Sequence, residues 1–247
     1  RYVSFDLETH AIRSGWLAPR IVCGALATKE GGGFLFRDAV SVARDILEDS
    51  NSVMVVANGA FDFACLAAED ESMFPLIFKA IREGRVYDVL IAQSLDAIEG
   101  GYLGIDPRTG KALRDPETND VKSRYSLAIC CDLVLGRVDA KRNDVWRVSY
   151  ALLDGIPEER WPAEARQYPV DDAVNTLEVA LGQLEGWDRG LDPERGPARN
   201  LDNMAAQVEA AFALHLGAAW GIRTDGERIA ALSVEVDAKH AEAVKRY

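Results

Sequence analysis

Over the first eight residues apolar and polar side chains alternate: Val3, Phe5 and Leu7 fall on one side, and Tyr2, Ser4, Asp6 and Glu8 on the other. A period of two predicts a β-strand with one face turned to a core. A loop from His10 to Pro19 leads to a second apolar stretch, Ile21 to Ala27. Gly31-Gly32-Gly33 then turns the chain into Phe34-Leu35-Phe36, so three strands in a meander are expected. The period changes after that. Asp38 is placed to cap a helix whose apolar stripe is Val42, Ala43, Ile46 and Leu47. Val53 to Ala57 is short and apolar throughout, the pattern of a strand buried on both faces of a parallel sheet. Helices are predicted from Phe61 to Ala68 and from Phe74 to Glu83, a short strand from Arg85 to Tyr87, and a helix starting at Asp88. A meander followed by alternating strands and helices is the order of an α/β fold, a mixed sheet flanked by helices.

Two later regions read differently. From Asp106 to Arg124 turn formers dominate, and Arg108, Lys111, Arg114, Lys122 and Arg124 make the stretch basic. It reads as a solvated mobile insertion, with a basic flap over an incoming strand as the functional alternative. Lys141, Arg142 and Arg147 would extend that path, whereas Trp146 and Trp161 read as core anchors. From about Asn203 to Tyr247 two helical stretches flank Gly221-Ile222-Arg223-Thr224-Asp225-Gly226, with Ala205, Val208, Ala211, Phe212 and Leu216 as an apolar face. The chain opens at Arg1 and stops at Tyr247 inside a helical pattern, which suggests a fragment or a processed chain.

Composition narrows the function classes. With 247 residues, 48% of them hydrophobic, the chain can bury one sizeable core and carry an appendage. No apolar run is long enough for a bilayer helix, and a soluble cytoplasmic protein is expected. Cys23, Cys65, Cys130 and Cys131 lack zinc-type spacing and sit in apolar runs, so buried or half-buried thiols are expected. A formal net charge of −12 argues against a broad clamp on duplex nucleic acid. It suits a carboxylate-lined metal site.

The candidate chemistry follows from the same alternation. Asp6 and Glu8 share a strand face, and two adjacent carboxylates either stay in water, share a proton or hold a cation. Asn58-Gly59-Ala60-Phe61-Asp62 follows the buried run, where ligand crevices of open α/β sheets lie. Asn58 can cap the next helix, and Asp62 falls in its first turn, where the macrodipole favours an anion. Tyr168 and Asp172 are four apart and share a helix face, with Asp171 rotated by roughly 100° away. Pro169 places the first turn of that helix about there.

Taken together, Asp6-x-Glu8, Asn58-x-x-Phe61-Asp62 and Tyr168-x-x-x-Asp172 resemble the three motifs of the DEDD family of 3′–5′ exonucleases, in the subclass whose third motif carries a tyrosine. Tyr87-Asp88, Tyr125-Ser126-Leu127-Ala128 and Asp172-Ala173 followed by Thr176-Leu177 agree with the proofreading domain of phage-type family A DNA polymerases. The resemblance runs from about Tyr2 to Glu185. It implies a ribonuclease-H-like fold and phosphodiester hydrolysis with two divalent ions, Mg2+ or Mn2+. Asp6, Glu8 and Asp172 would hold the first ion, Asp6 would bridge to the second, and Asp62 would reach that one directly or through water. Tyr168 would orient the attacking water.

The resemblance also implies a single-stranded DNA or a frayed primer 3′ end as substrate, with Leu7, Thr9, His10, Ile12, Asn58 and Phe61 beside the motifs as candidate contacts. For Leu7 and Phe61 a core role is at least as strong a reading, and His10 reads as an exposed loop histidine rather than a metal ligand. Residues 1–190 would form the exonuclease domain and 191–247 a helical segment leading to a polymerase domain in the same parent chain. The compartment would be a host cytoplasm if the chain is phage-encoded, and no obligate oligomer is expected. A ribonuclease D-like exoribonuclease shares the motifs, and an inert scaffold of the same fold is the non-enzymatic alternative.

Overall fold

In the computed structural model five strands form the central sheet: β1 (Tyr2–Thr9), β2 (Ile21–Thr28), β3 (Gly32–Phe36), β4 (Val53–Val56) and β5 (Val86–Asp88). Residues 1–116, 118–122, 124–138, 145–188, 203–221 and 225–246 are described. The strand order is β3-β2-β1-β4-β5, with β1, β2 and β3 antiparallel to one another in turn and β4 and β5 parallel to β1. This is the mixed sheet expected from the meander and the buried run, and it is consistent with the ribonuclease-H-like fold that the resemblance implies. It is flanked by α1 (Ala39–Glu48), α2 (Gly59–Glu69), α3 (Met73–Arg82), α4 (Val89–Gly100), α5 (Leu127–Cys130) and α6 (Ala163–Asp188). Asp38 caps α1 through a bond from the Ser41 N–H, and Asp88 caps α4 through bonds from Leu90 and Ile91.

Alternation along β1 divides the molecule. Val3, Phe5 and Leu7 enter a core shared with Ala43 and Leu47 of α1, Phe63 and Leu66 of α2 and Ile77 of α3. A further helix, α7 (Met204–Trp220), closes this core: the Phe212 ring lies 5.7 Å from Phe63 and 5.0 Å from Phe78. The helix after it, α8 (Gly226–Arg246), is exposed at every described side chain. The polar face of β1 turns instead to α6. Gly33 in β3 makes that approach possible, because a Cβ there would meet Val170 Cγ1 at 2.5 Å.

The stretch after Asp106 is a hairpin pinned to the protein rather than an open loop. Its strands, β6 (Ile105–Asp106) and β7 (Lys111–Ala112), pair antiparallel, and Leu113 is buried. Three of its cations are engaged locally: Arg108 by Asp106 and Asp132, Arg114 by the Asn119 carbonyl, and Lys122 by Asp115. Lys111 and Arg124 are exposed. Lys141 and Arg142 lie outside the described residues, as do the side chain of Arg147, the connection 222–224 and the expected domain boundary near residue 190. Trp161 is buried and Trp146 half-buried in one aromatic cluster. All four cysteines are buried. No helix among the described residues is long and apolar enough to cross a membrane.

Candidate active site

β4 accompanies β1 only from Tyr2 to Ser4, so the half of β1 bearing Asp6 and Glu8 runs past the end of its parallel neighbour. On its other side β2 stays paired as far as Glu8 opposite Cys23, and the register then skips Val22. Such an irregularity bends a strand and re-aims its side chains. The two carboxylates therefore share the face beneath α6, beyond the end of β4.

Three contacts index α6 along that face. Gly33 admits Val170 and Val174. Ser4 Oγ donates to the Ala173 carbonyl at 2.7 Å and accepts from the Ala27 N–H at 3.0 Å. Farther along, Gln183 Nε2 donates to the Val89 carbonyl at 3.1 Å while its Oε1 accepts from Tyr87 Oη at 3.1 Å. Ser4 is two residues from Asp6 on one face, and Ala173 follows Asp172. The bond between them brings Asp172 to the acidic pair: Asp6, Glu8 and Asp172 each offer a carboxylate oxygen, and the three oxygens lie within 4.8 Å of one another.

The helix that carries Tyr168 and Asp172 begins earlier than its proline suggests. α6 starts at Ala163, so Pro169 lies inside the helix rather than in its first turn. A proline there withholds the N–H that the carbonyl four residues back would accept. That carbonyl belongs to Ala165, and Tyr150 Oη donates to it at 2.7 Å. Tyr150 comes from the 3₁₀ turn Tyr150–Leu153 and is fully buried. Tyr168 is buried too, in one cluster with Val22, Cys23, Tyr150, Leu153, Trp161 and Ala165. Burial, then the charge of Glu8, pushes the Cys23 thiol up, so it is a packing group and not a nucleophile.

Asp62 stands outside the group of three but belongs to the same electrostatic unit. Burial raises its carboxyl well above the usual carboxylate range, and the charge of Asp6 raises it further, against the N–H groups of Asp62 itself and Leu7. A helix N-terminus favours an anion by at most about 2 kcal/mol, whereas burying an unpaired charge costs several, so burial prevails. Asn58 occupies the cap position of α2 in the left-handed conformation, at φ 69°, and makes no side-chain cap bond. Its expected capping role passes to Asp88, whose Oδ2 accepts from the Gly59 N–H at 2.9 Å. Burial raises the Asp88 carboxyl as well, against the backbone N–H groups of Gly59, Ile91, Leu90 and Asn58.

The remaining candidates separate by exposure. Leu7 is buried in the core, and Phe61 is half-buried with its ring edge-on to His215 at 6.1 Å. Ile12 is 56% exposed and Asn58 is exposed. Thr9 Oγ1 donates to the His10 carbonyl at 2.9 Å. His10 is not an exposed loop residue: it is half-buried, and its Nε2 lies 2.9 Å from Asp154 Oδ2, which Arg20 also contacts at 3.2 Å. The His10 bond is the main reason that the Asp154 carboxyl sits below the usual range. A cleft of about 220 Å³ opens beside the first turn of α2, between Asn58, Ala60, Leu90, Ile91, Arg124 and Tyr125. Tyr125 Oη is buried.

An all-oxygen set of three carboxylates suits a hard divalent cation such as Mg2+ or Mn2+, which keeps several waters of its own. Ser4, Asp88 and Tyr150 place the site residues from outside the motifs. Only Asp88 carries a local signal, an acid at a strand end just before a helix. No protein-family model matches the chain, and a search of curated proteins finds no match.

Proposed function

We propose that this chain is a metal-dependent 3′–5′ exonuclease that removes nucleoside monophosphates from the 3′ end of single-stranded DNA, as the proofreading part of a family A polymerase. The observation that carries the reading is the convergence of Asp6 and Glu8 from β1 with Asp172 from α6, residues far apart in sequence, into one oxygen cluster. Tyr168 one turn before Asp172, and buried Asp62 in the first turn of α2, support it.

Asp6, Glu8 and Asp172 would hold one divalent ion, and Asp6 with Asp62 a second. Bound ions supply Lewis-acid charge for phosphodiester hydrolysis. A neighbouring cation also favours the charged form of a carboxyl, the reverse of what burial does to Asp62. A phenol suits positioning better than proton abstraction, so Tyr168 would orient the attacking water by a hydrogen bond and not take its proton. The cleft beside α2 offers apolar Leu90 and Ile91 for a base, Asn58 for hydrogen bonds and Arg124 for a phosphate.

The test is a 5′-labelled single-stranded DNA incubated with the chain, with and without Mg2+ or Mn2+, beside an Asp6→Ala control. The expected result is a ladder shortening from the 3′ end only with metal and lost in the variant. RNA in a parallel lane separates this reading from an exoribonuclease. Intact DNA and RNA with both metals and a folded protein would refute the enzyme. The inert scaffold would then stand, and a titration showing no divalent binding would support it.

A further inference from the structure

We propose that Tyr150 is a positioning residue for Tyr168, acting through the carbonyl that Pro169 leaves without its helical donor; the proposal rests on the exonuclease reading. A proline inside a helix is tolerated where another group takes over the orphaned acceptor. Here Tyr150 Oη does so at Ala165. Ala165 lies three residues before Tyr168, on the same side of the helix and one turn away. The ring of Tyr150 also lies against that of Tyr168, with centroids 6.3 Å apart and planes at 39°. One side chain thus holds both the backbone one turn ahead of Tyr168 and the flank of its ring.

The brace is itself rigid. Tyr150 is 1% exposed, and its ring meets Trp161 at 6.2 Å and Trp146 at 6.3 Å. Its 3₁₀ turn packs on β1 and β2, and Cys23 of the same cluster sits opposite Glu8 in the strand ladder. Tyr150 therefore ties Tyr168 to the strands that carry and flank the acidic pair. Asp172, one turn beyond Tyr168, is indexed separately by Ser4 at Ala173. The division makes a specific prediction: disturbing Tyr150 should impair the step that Tyr168 serves while leaving metal binding intact.

The experiment uses the full chain with three variants, Tyr150→Phe, Pro169→Ala and the two combined. Tyr150→Phe keeps the ring and removes only the donor. Its kcat on single-stranded DNA is expected to fall roughly 10- to 100-fold, the scale of an ångström-level misplacement, with KM and Mn2+ affinity unchanged. The double variant returns an N–H to Ala165 from residue 169. It is expected to regain thermal stability but not kcat, because the helix closes on itself instead of leaning on Tyr150. If Tyr150→Phe alone does not fold, Pro169→Ala and the double variant make the same comparison. Recovery of kcat together with stability would reduce Tyr150 to a structural donor and overturn the proposal. An active wild type with an equally active, folded Tyr150→Phe would overturn it too, while leaving the exonuclease reading in place. A wild type that cleaves nothing would overturn that reading, and the brace with it.

Discussion

Gly33→Ala tests how α6 is seated. The new Cβ would stand 2.5 Å from Val170 Cγ1, 3.0 Å from Val174 Cγ2 and 3.4 Å from the Val170 carbonyl. Carbon atoms in ordinary contact are about 3.5–4.0 Å apart, so the separation must grow by about 1 Å. Valine holds one strongly preferred rotamer in a helix, and both valines belong to α6, so the helix lifts as a body. Overpacking of this kind costs about 1–3 kcal/mol. At roughly 2–4 °C per kcal/mol for a chain of this size, the melting temperature is expected to drop by about 2–12 °C. Asp172 lies between the two valines, so it recedes from Asp6 and Glu8, and calorimetric titration with Mn2+ should show weaker binding. Adding Val170→Ala removes the nearest clash and should restore part of both quantities. Unchanged melting and unchanged Mn2+ affinity in Gly33→Ala would refute the seating of α6 on β3 described above.

Further outcomes follow from the same geometry. Mn2+ at about 100 times its Kd should stabilise the protein by about 2.7 kcal/mol, and chelation should reverse it. Asp172→Asn should abolish that shift yet raise the melting temperature in chelator, since the acidic trio loses one charge; a retained shift would place the ion elsewhere. Asp88→Asn should cost about 1–3 kcal/mol, because an amide cannot accept from Leu90 and Ile91 on one side and from Gly59 on the other. Burial raises the Asp88 carboxyl above its unfolded value, so the native state holds its proton longer and wild-type stability falls as pH climbs above that value. The wild-type advantage over Asp88→Asn, measured by thermal melts, should therefore narrow from pH 4 toward neutrality. A widening gap would mean that the backbone N–H bonds outweigh burial.

Much of the sheet was legible because its signals are local. The alternation in β1, the uniform run of β4 and the acids Asp38 and Asp88 ahead of helices each act within a few residues, and each element formed where expected. The carboxylates of the three motifs were legible as candidates for the same reason. What escaped was set by partners distant in sequence. The start of α6 was misread because Pro169 normally marks a first turn, and the hydroxyl that makes it tolerable comes from Tyr150, in a separate 3₁₀ turn. Asn58 looked like a cap, but Asp88 supplies the acceptor from the next strand end. His10 looked exposed, but Asp154, 144 residues later in the chain, reaches it. The hairpin after Asp106 hid behind turn-forming residues, since what anchors it, buried Leu113 and the Arg108 pair with Asp132, leaves no periodic pattern.

The bond from Ser4 to Ala173 joins positions 169 residues apart, and it has a consequence for the order in which the molecule comes into being. A chain emerging from the ribosome folds from its N-terminal side, and contacts of large sequence separation close last. β1, which bears Asp6 and Glu8, can pair with its neighbours while those acids still face water. Asp172 arrives only when α6 has been synthesised and docked. Until then Asp6, Glu8 and Asp172 are not gathered, and a half-made chain has no such cluster to concentrate a divalent ion.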